Sequence, residues 1–377
     1  MLANIDEIQS LTLHIFSNTI ACTFVPWRKV NMTTGDEGNA ALERRRLLIK
    51  QIQEKRKSKV ICYVTGDRQK LETRIAHDCH PLAFSHLRQI GASNKVNLFL
   101  YTAGGLTVAG WGLVHLIREF CKEFSVLVPY RAWSCGTLIC LGADEIVMGR
   151  LGQLGPIDPS TQNPFNPPIP GVPPAPQHTL PMNVEDIVSF INLAKHEIGL
   201  KGDAGLSSAL ESLSKMNPYA PLALGAAHRV RPQIVKLATG LLQLHMGEKQ
   251  KEIKRIVDIL AKQLGSHDYL IGRREAKGIG LKVKDAPGDL ETLMWELYSE
   301  YETMMELNTP YSPEAFLGQQ QSATGTFIRA AIESEAITHI FRTIKQVTRV
   351  TIGPPLVPVP TPGHQELVIE EGWIRSR

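Results

Sequence analysis

The chain has 377 residues, 43% of them hydrophobic, enough to fill a core, and a formal net charge of +4 that makes no case for nucleic acid by itself. Its six cysteines (Cys22, Cys62, Cys79, Cys121, Cys135 and Cys140) form no CxxC pair and no Cys/His ligand spacing, which points to a reducing, cytoplasmic setting and no structural metal. The apolar stretches Leu11 to Val25 and Val126 to Val147 are interrupted by polar or charged residues, among them Arg131, Asp144 and Glu145, so neither reads as a membrane span.

The first 31 residues carry Asp6 and Glu7 without a basic leader and do not join the pattern that follows, so Met32 is an equally good start. From Asn39 to Lys57 the Glu/Arg/Leu/Lys/Gln composition predicts a helix. Its basic runs, Arg44 to Arg46 and Lys55 to Lys59, read as a solvated face. Val60 to Thr65 and Val96 to Thr102 read as buried strands, and the second ends on Gly104-Gly105. Thr107 to Cys121 has helical spacing, Ser125 to Tyr130 is a strand, Cys135 to Ala143 a compact helix, and Glu145 to Met148 a strand. Strand and helix alternating in this way predict parallel pairing through right-handed crossovers, an α/β core.

Ten of the 24 prolines lie between Gly155 and Pro181, which predicts an extended loop. Helical patterns resume at Val184 to Ile198, Leu206 to Lys215, Pro232 to Met246 and Lys249 to Leu264. Leu281 to Val283 reads as a strand, Asp289 to Leu307 as an amphipathic helix, and Phe327 to Val350 as a β-hairpin arm that forms a C-terminal piece. The expected organisation is a segment 1–59, a catalytic domain 60–285 containing the proline-rich loop, and an extension 286–377.

Acyl transfer needs a nucleophile, a base, and N–H donors aimed where the oxyanion forms. Ser134 lies between a strand and a helix within Ala132-Trp133-Ser134-Cys135-Gly136-Thr137. Cys135 can offer one N–H, and Gly104 or Gly105, at the end of the neighbouring strand and without side chains, a second. The glycines Gly104, Gly105 and Gly110 do not complete G-x-G-x-x-G, and there is no P-loop Gly-Lys-Ser/Thr, so nothing here predicts a nucleotide cofactor.

Four segments together carry a resemblance: Thr102 to Gly105; Val128 to Ile139; Ala143 to Gly149 with Leu154 to Pro159; and His267-Asp268-Tyr269 followed by Glu275-Ala276 and Gly280-Leu281. Over about residues 60 to 285 the chain resembles the SDH-type Clp-fold serine proteinases, relatives of ClpP and the signal-peptide peptidase SppA. The resemblance implies a ClpP/crotonase-like α/β core, a homo-oligomer, no cofactor, and cleavage of peptides or unfolded protein without an ATPase of its own. It also implies Ser134 as nucleophile, Gly104, Gly105 and Cys135 as the oxyanion hole, and Asp268 on the family aspartate. Nothing in it indicates a nucleic-acid partner or membrane association.

The base stays open. Asp158-Pro159 stands where ClpP has its histidine. SppA-like relatives use a lysine, which here corresponds to Lys195, or one turn earlier to Asn192. A lysine base must be neutral, so Lys195 could serve as the base only if it is buried within reach of Ser134. His267 needs no such tuning, although it and Asp268, as chain neighbours, point apart. Asp158 fits better as the anchor of its own turn. A crotonase-type acyl-CoA enzyme and a non-catalytic scaffold are the alternative readings.

Overall fold

The computed structural model describes residues 36–377 apart from 158–159, 162–165, 167–168, 170–181, 184–188, 191, 201, 217–219, 265, 267, 353–360 and 377. The chain divides into Met1–Ala40 and Ala41–Arg377. In the first unit the described part is the opening turn of helix α1 (Asp36–Arg56). The rest of the fold lies in the second.

Five strands form its parallel half: β1 (Lys59–Thr65), β2 (Ser93–Tyr101), β3 (Cys121–Val128), β5 (Glu145–Met148) and β10 (Val283–Asp285). They stand in the order β10-β5-β3-β2-β1, every neighbouring pair parallel. That order follows from short crossovers through α2 (Cys79–Ile90), α3 (Thr107–Arg118) and α4 (Cys135–Leu141). The strands are near-continuous apolar runs because helices cover both faces. Ile61, Leu98, Leu100, Val126 and Ile146 pack with α2, α3 and α4 on one face. Val60, Cys62, Val64, Phe99, Leu127 and Val147 pack with Leu48, Ile49 and Ile52 of α1 and with a later helix on the other.

Short strands β4 (Arg131–Ala132) and β6 (Gln153–Leu154) pair beside the sheet. Within the proline-rich stretch β7 (Ser160–Thr161) pairs with β8 (Met182–Asn183), where the sequence predicts only loop. A π-helical turn, Leu193–Glu197, leads to α5 (Gly202–Met216) and α6 (Ala220–Met246). Helix α6 runs through Pro232, which the sequence reads as its start. The helix formers before the proline extend it N-terminally, although proline supplies no N–H to the ladder. Then come α7 (Gln250–Asp258), a second π-helical stretch Ile259–Gln263, β9 (Ile271–Gly272) against β6, α8 (Arg273–Ile279), α9 (Gly288–Met305) and α10 (Pro313–Leu317). Among the described residues no helix is long and apolar enough to cross a membrane.

The C-terminal arm has three strands rather than two: β11 (Ser322–Glu333), β12 (Thr338–Ile352) and β13 (Thr361–Ser376). Strand β11 pairs antiparallel with β1 from Cys62↔Glu333 to Thr65↔Ala330, so the arm continues the central sheet instead of standing apart. Among the described residues the whole sheet has eight strands, with β13 at its edge.

Candidate active site

The site forms where β2 and β4 end side by side. Beyond Tyr101 the Thr102 N–H donates to Arg131 O (2.9 Å), and the Trp133 N–H donates back to Thr102 O (3.1 Å). Two residues later the Ile75 N–H donates to Gly104 O (2.9 Å) and the Leu106 N–H to Ile75 O (2.8 Å). These four bonds put the Gly104-Gly105 turn beside the turn that carries Ser134.

Ser134 has φ 51° and ψ −110°, outside the regions an L-residue adopts without strain, and makes no side-chain cap to α4. Holding such a residue costs about 1–3 kcal/mol, and the surrounding structure must impose it. A serine held in such a conformation on a sharp strand-to-helix turn has the backbone geometry of a nucleophile elbow. Gly104 faces it, since a Cβ there would lie 3.0 Å from Ser134 Cβ and 3.4 Å from its Oγ. At Gly105 a Cβ would collide with the Ile75 backbone. Both glycines have positive φ, 121° and 155°, so space and backbone conformation both demand glycine here.

The structure separates the two glycines. The Gly104 N–H is already taken, donating to Thr102 Oγ1 (2.9 Å), while that hydroxyl also accepts from Thr65 Oγ1 (2.7 Å). Among the described residues the N–H groups of Gly105 and Cys135 have no acceptor. The Cys135 thiol is buried, donates to Leu106 O (3.3 Å), and is pushed up to about 12 by burial, so it stays protonated at neutral pH and is a poor nucleophile. Thr137, also buried, donates to Ala132 O (2.8 Å) and accepts from the Gly155 N–H (2.9 Å), fixing the chain after β6 against the turn.

The candidate bases are not assembled in the same way. Lys195 is exposed on the π-helical turn Leu193–Glu197, contrary to the burial a neutral lysine requires. There the adjacent Ala194 takes the buried position. Asn192 is exposed as well. Asp268 is exposed, and its backbone N–H donates to Ser266 Oγ (3.2 Å). His267 and Asp158 lie outside the described residues. Among the described residues no side chain hydrogen-bonds Ser134 Oγ, and no cluster of His, Cys, Asp or Glu could hold a metal ion.

Sequence reasoning passes over Thr65, Thr102, Thr137 and Arg131. The signal at Thr102 is legible in retrospect: a hydroxyl at the end of a buried strand, two residues before a glycine, can accept that glycine's N–H. Arg131 stacks between the rings of Tyr130 and Trp133 and pairs with Asp67, which depends on chain segments far apart in sequence.

Residues 31–186 match the family of ClpP-like SDH-type serine proteinases. An uncharacterized protein of Methanocaldococcus jannaschii is 31% identical over 221 residues, 57% of this chain and 63% of that one. A second from the same organism is 36% identical over 55 residues, 15% of this chain and 19% of that one. The chain thus spans less than two thirds of these curated relatives. Among solved structures, a serine-to-alanine mutant of the 1510-N membrane-bound stomatin-specific protease covers 60% of this chain and 81% of its own, at 14% identity and a TM-score of 0.33. A lysine-to-alanine mutant of the same protease, in complex with a substrate peptide, covers 56% and 71% at 16% identity and a TM-score of 0.32. Within the span where the sequence resembles this family, the match reaches residue 186, and the parallel α/β sheet is the ClpP-like fold that the resemblance implies.

Proposed function

We propose that the chain hydrolyses peptide bonds through an acyl-enzyme on Ser134. The observation that carries this reading is the strained Ser134 turn facing Gly104, next to Gly105 and Cys135, whose N–H groups have no acceptor among the described residues. Ser134 Oγ attacks the scissile carbonyl carbon as its proton passes to the base. The carbonyl oxygen, now an oxyanion, accepts from Gly105 and Cys135. Collapse breaks the C–N bond, the base returns the proton to the leaving amine, and water then repeats the sequence on the ester. In this scheme Gly104 serves by leaving room for the Ser134 side chain.

The base is supplied by Lys195 or by His267. If Lys195 is the base, its exposed turn must close on Ser134 when substrate binds, as catalytic hydrogen bonds often tighten only in the complex. The substrate is a flexible or unfolded polypeptide, since the sequence holds no nucleotide-binding motif for unfolding one. The assembly is a homo-oligomer. The five cysteines among the described residues, all free thiols, fit a reducing, cytoplasmic setting.

A fluorophosphonate probe tests the nucleophile. It should modify Ser134 and leave the Ser134→Ala variant unlabelled, whereas an acyl-CoA enzyme or a scaffold of this fold would take up no label. Lys195→Ala and His267→Ala then find the base, because removing it abolishes turnover almost as fully as removing Ser134. A histidine base adds a rise in activity through about pH 6.5. Two fully active base variants would refute both assignments.

A further inference from the structure

The strained turn at Ser134 has to be held by something, and backbone bonds account for only part of it. Along β4 and its extension, residues two apart share a face, which brings the side chains of Arg131 and Trp133 together. The guanidinium carbon of Arg131 lies 4.8 Å from the Trp133 ring centroid and 4.4 Å from that of Tyr130, close enough on both sides for cation–π attraction. Its Nη2 donates to Tyr130 Oη (2.7 Å), and its Nη1 pairs with Asp67. The second carboxylate oxygen of Asp67 accepts from the buried Tyr101 hydroxyl (2.8 Å). The loop after β1, the end of β2 and the start of the Ser134 turn therefore meet at one ion pair. Trp133 also packs on Gly155, where a Cβ would lie 3.4 Å from Trp133 Cβ and 3.5 Å from its Cγ, and Gly155 is itself pinned by Thr137.

We propose that Arg131, clamped by Asp67 and Tyr130, is a positioning residue for the nucleophile: it holds the Trp133 ring against Gly155 and so fixes the peptide between Trp133 and Ser134. The inference rests on the reading of Ser134 as nucleophile. A planar guanidinium suits this place because it can stack on two rings while its edge donates to a carboxylate and a hydroxyl. An ammonium would keep the charge and lose the stacking and the fork.

The test compares Arg131→Met, Arg131→Lys and Asp67→Asn with the unaltered chain and with Ser134→Ala. It measures kcat, KM, the rate of fluorophosphonate labelling at Ser134 and the folded fraction at assay temperature. In Arg131→Met, kcat and labelling rate should fall about 100-fold with KM changed less than about twofold, the size of loss that a small misplacement of a reacting group brings. Arg131→Lys should recover part of that loss. The double variant Asp67→Asn/Arg131→Met should be no worse than Arg131→Met alone, since the two act as a unit. Should Arg131→Met fail to fold, Arg131→Lys and Asp67→Asn decide the question by the same readouts. Unchanged labelling and kcat in these variants, or losses that only mirror the folded fraction, would overturn the inference while an inactive Ser134→Ala leaves the nucleophile standing. Full activity in Ser134→Ala would instead remove the reading on which it rests.

Discussion

The five parallel strands and the three antiparallel strands share one sheet and treat buried polar groups differently. In the parallel half and the turns it feeds, the buried polar residues Thr65, Asn97, Thr102, Ser125 and Thr137 are neutral, and Thr65, Thr102, Ser125 and Thr137 are hydroxyls. Two of them, Thr102 and Thr137, spend their bonds on the N–H groups of Gly104 and Gly155 beside Ser134. In the antiparallel half the buried polar residues include Glu333, His339 and Lys345, and they tie elements together: Glu333 to Arg45 of α1, His86 of α2 to His339, Lys345 to Glu366 across β12 and β13. Neutral hydroxyls can aim backbone donors without adding charge to a site where charge must develop. Ion pairs in a dry interior instead specify which elements meet, and are costly when one partner is missing. Changes in the first region should therefore move activity and those in the second stability.

The largest effect should come from Ser134→Ala. Loss of the nucleophile should lower kcat about 1000-fold or more, some 4 kcal/mol of barrier, with the melting temperature nearly unchanged because Ser134 caps nothing. A drop in melting temperature with activity retained would place Ser134 with the structural residues instead.

The opposite outcome is expected at the far side of the sheet. Glu333 is fully buried, accepting from Arg45 Nε (2.8 Å), Tyr301 Oη (2.8 Å) and Thr338 Oγ1 (3.0 Å). Arg45→Met leaves that carboxylate without its cation and should cost about 3–5 kcal/mol in urea unfolding. The kcat of the molecules that remain folded should stay the same. A loss of kcat per folded molecule would break the division between the halves.

At Gly104 the two effects can be separated within the site itself. Gly104→Ala puts a methyl group 3.0 Å from Ser134 Cβ at a backbone φ of 121°, and should lower kcat about 100-fold by displacing the nucleophile. KM should hold, since binding of the remote substrate chain is untouched. A raised KM with normal kcat would show that Gly104 shapes only the groove.

Much of this was legible in the residues. Apolar, β-branched runs marked β1, β2, β3 and β5 within a few residues, and Gly104-Gly105 and Ser134 stand together as their order implied. Helix α2 escaped because its first turn is Cys79-His80-Pro81, where Pro81 reads as a breaker although the first turn of a helix tolerates proline. Strand β13 escaped because it is an edge strand whose Leu367, Val368 and Ile369 are consecutive and all exposed, so no alternation marks it. The division of labour between Gly104 and Gly105 depends on which N–H the Thr102 hydroxyl takes, a fact of three dimensions. The base was the hardest to read because its candidates sit on segments whose approach to Ser134 no local pattern encodes.

The smallest expected effect, and the one that depends on pH, lies where α2 meets the antiparallel half. His86 is fully buried, with Nδ1 2.8 Å from Ser334 Oγ and Nε2 3.0 Å from His339 Nδ1. Burial first, then the neighbouring His339 and Arg375, lower it to about 3, and burial and Arg375 lower His339 too. The native ring is thus neutral, whereas in the unfolded chain it titrates near 6.5. Between about pH 6.5 and about pH 3 the unfolded chain binds a proton that the native chain does not, so this contribution is present in full above pH 6.5 and is lost as the pH falls through that window. At about 1.4 kcal/mol per pH unit, the loss from His86 reaches about 2 kcal/mol by pH 5. Urea unfolding of the unaltered chain and of His86→Gln, each at pH 7 and pH 5, reads it directly. The variant is expected to lose about 2 kcal/mol less on acidification and to keep its kcat per folded molecule at pH 7. Equal losses in the two chains would mean that the buried histidine pair does not set the acid limit of the arm.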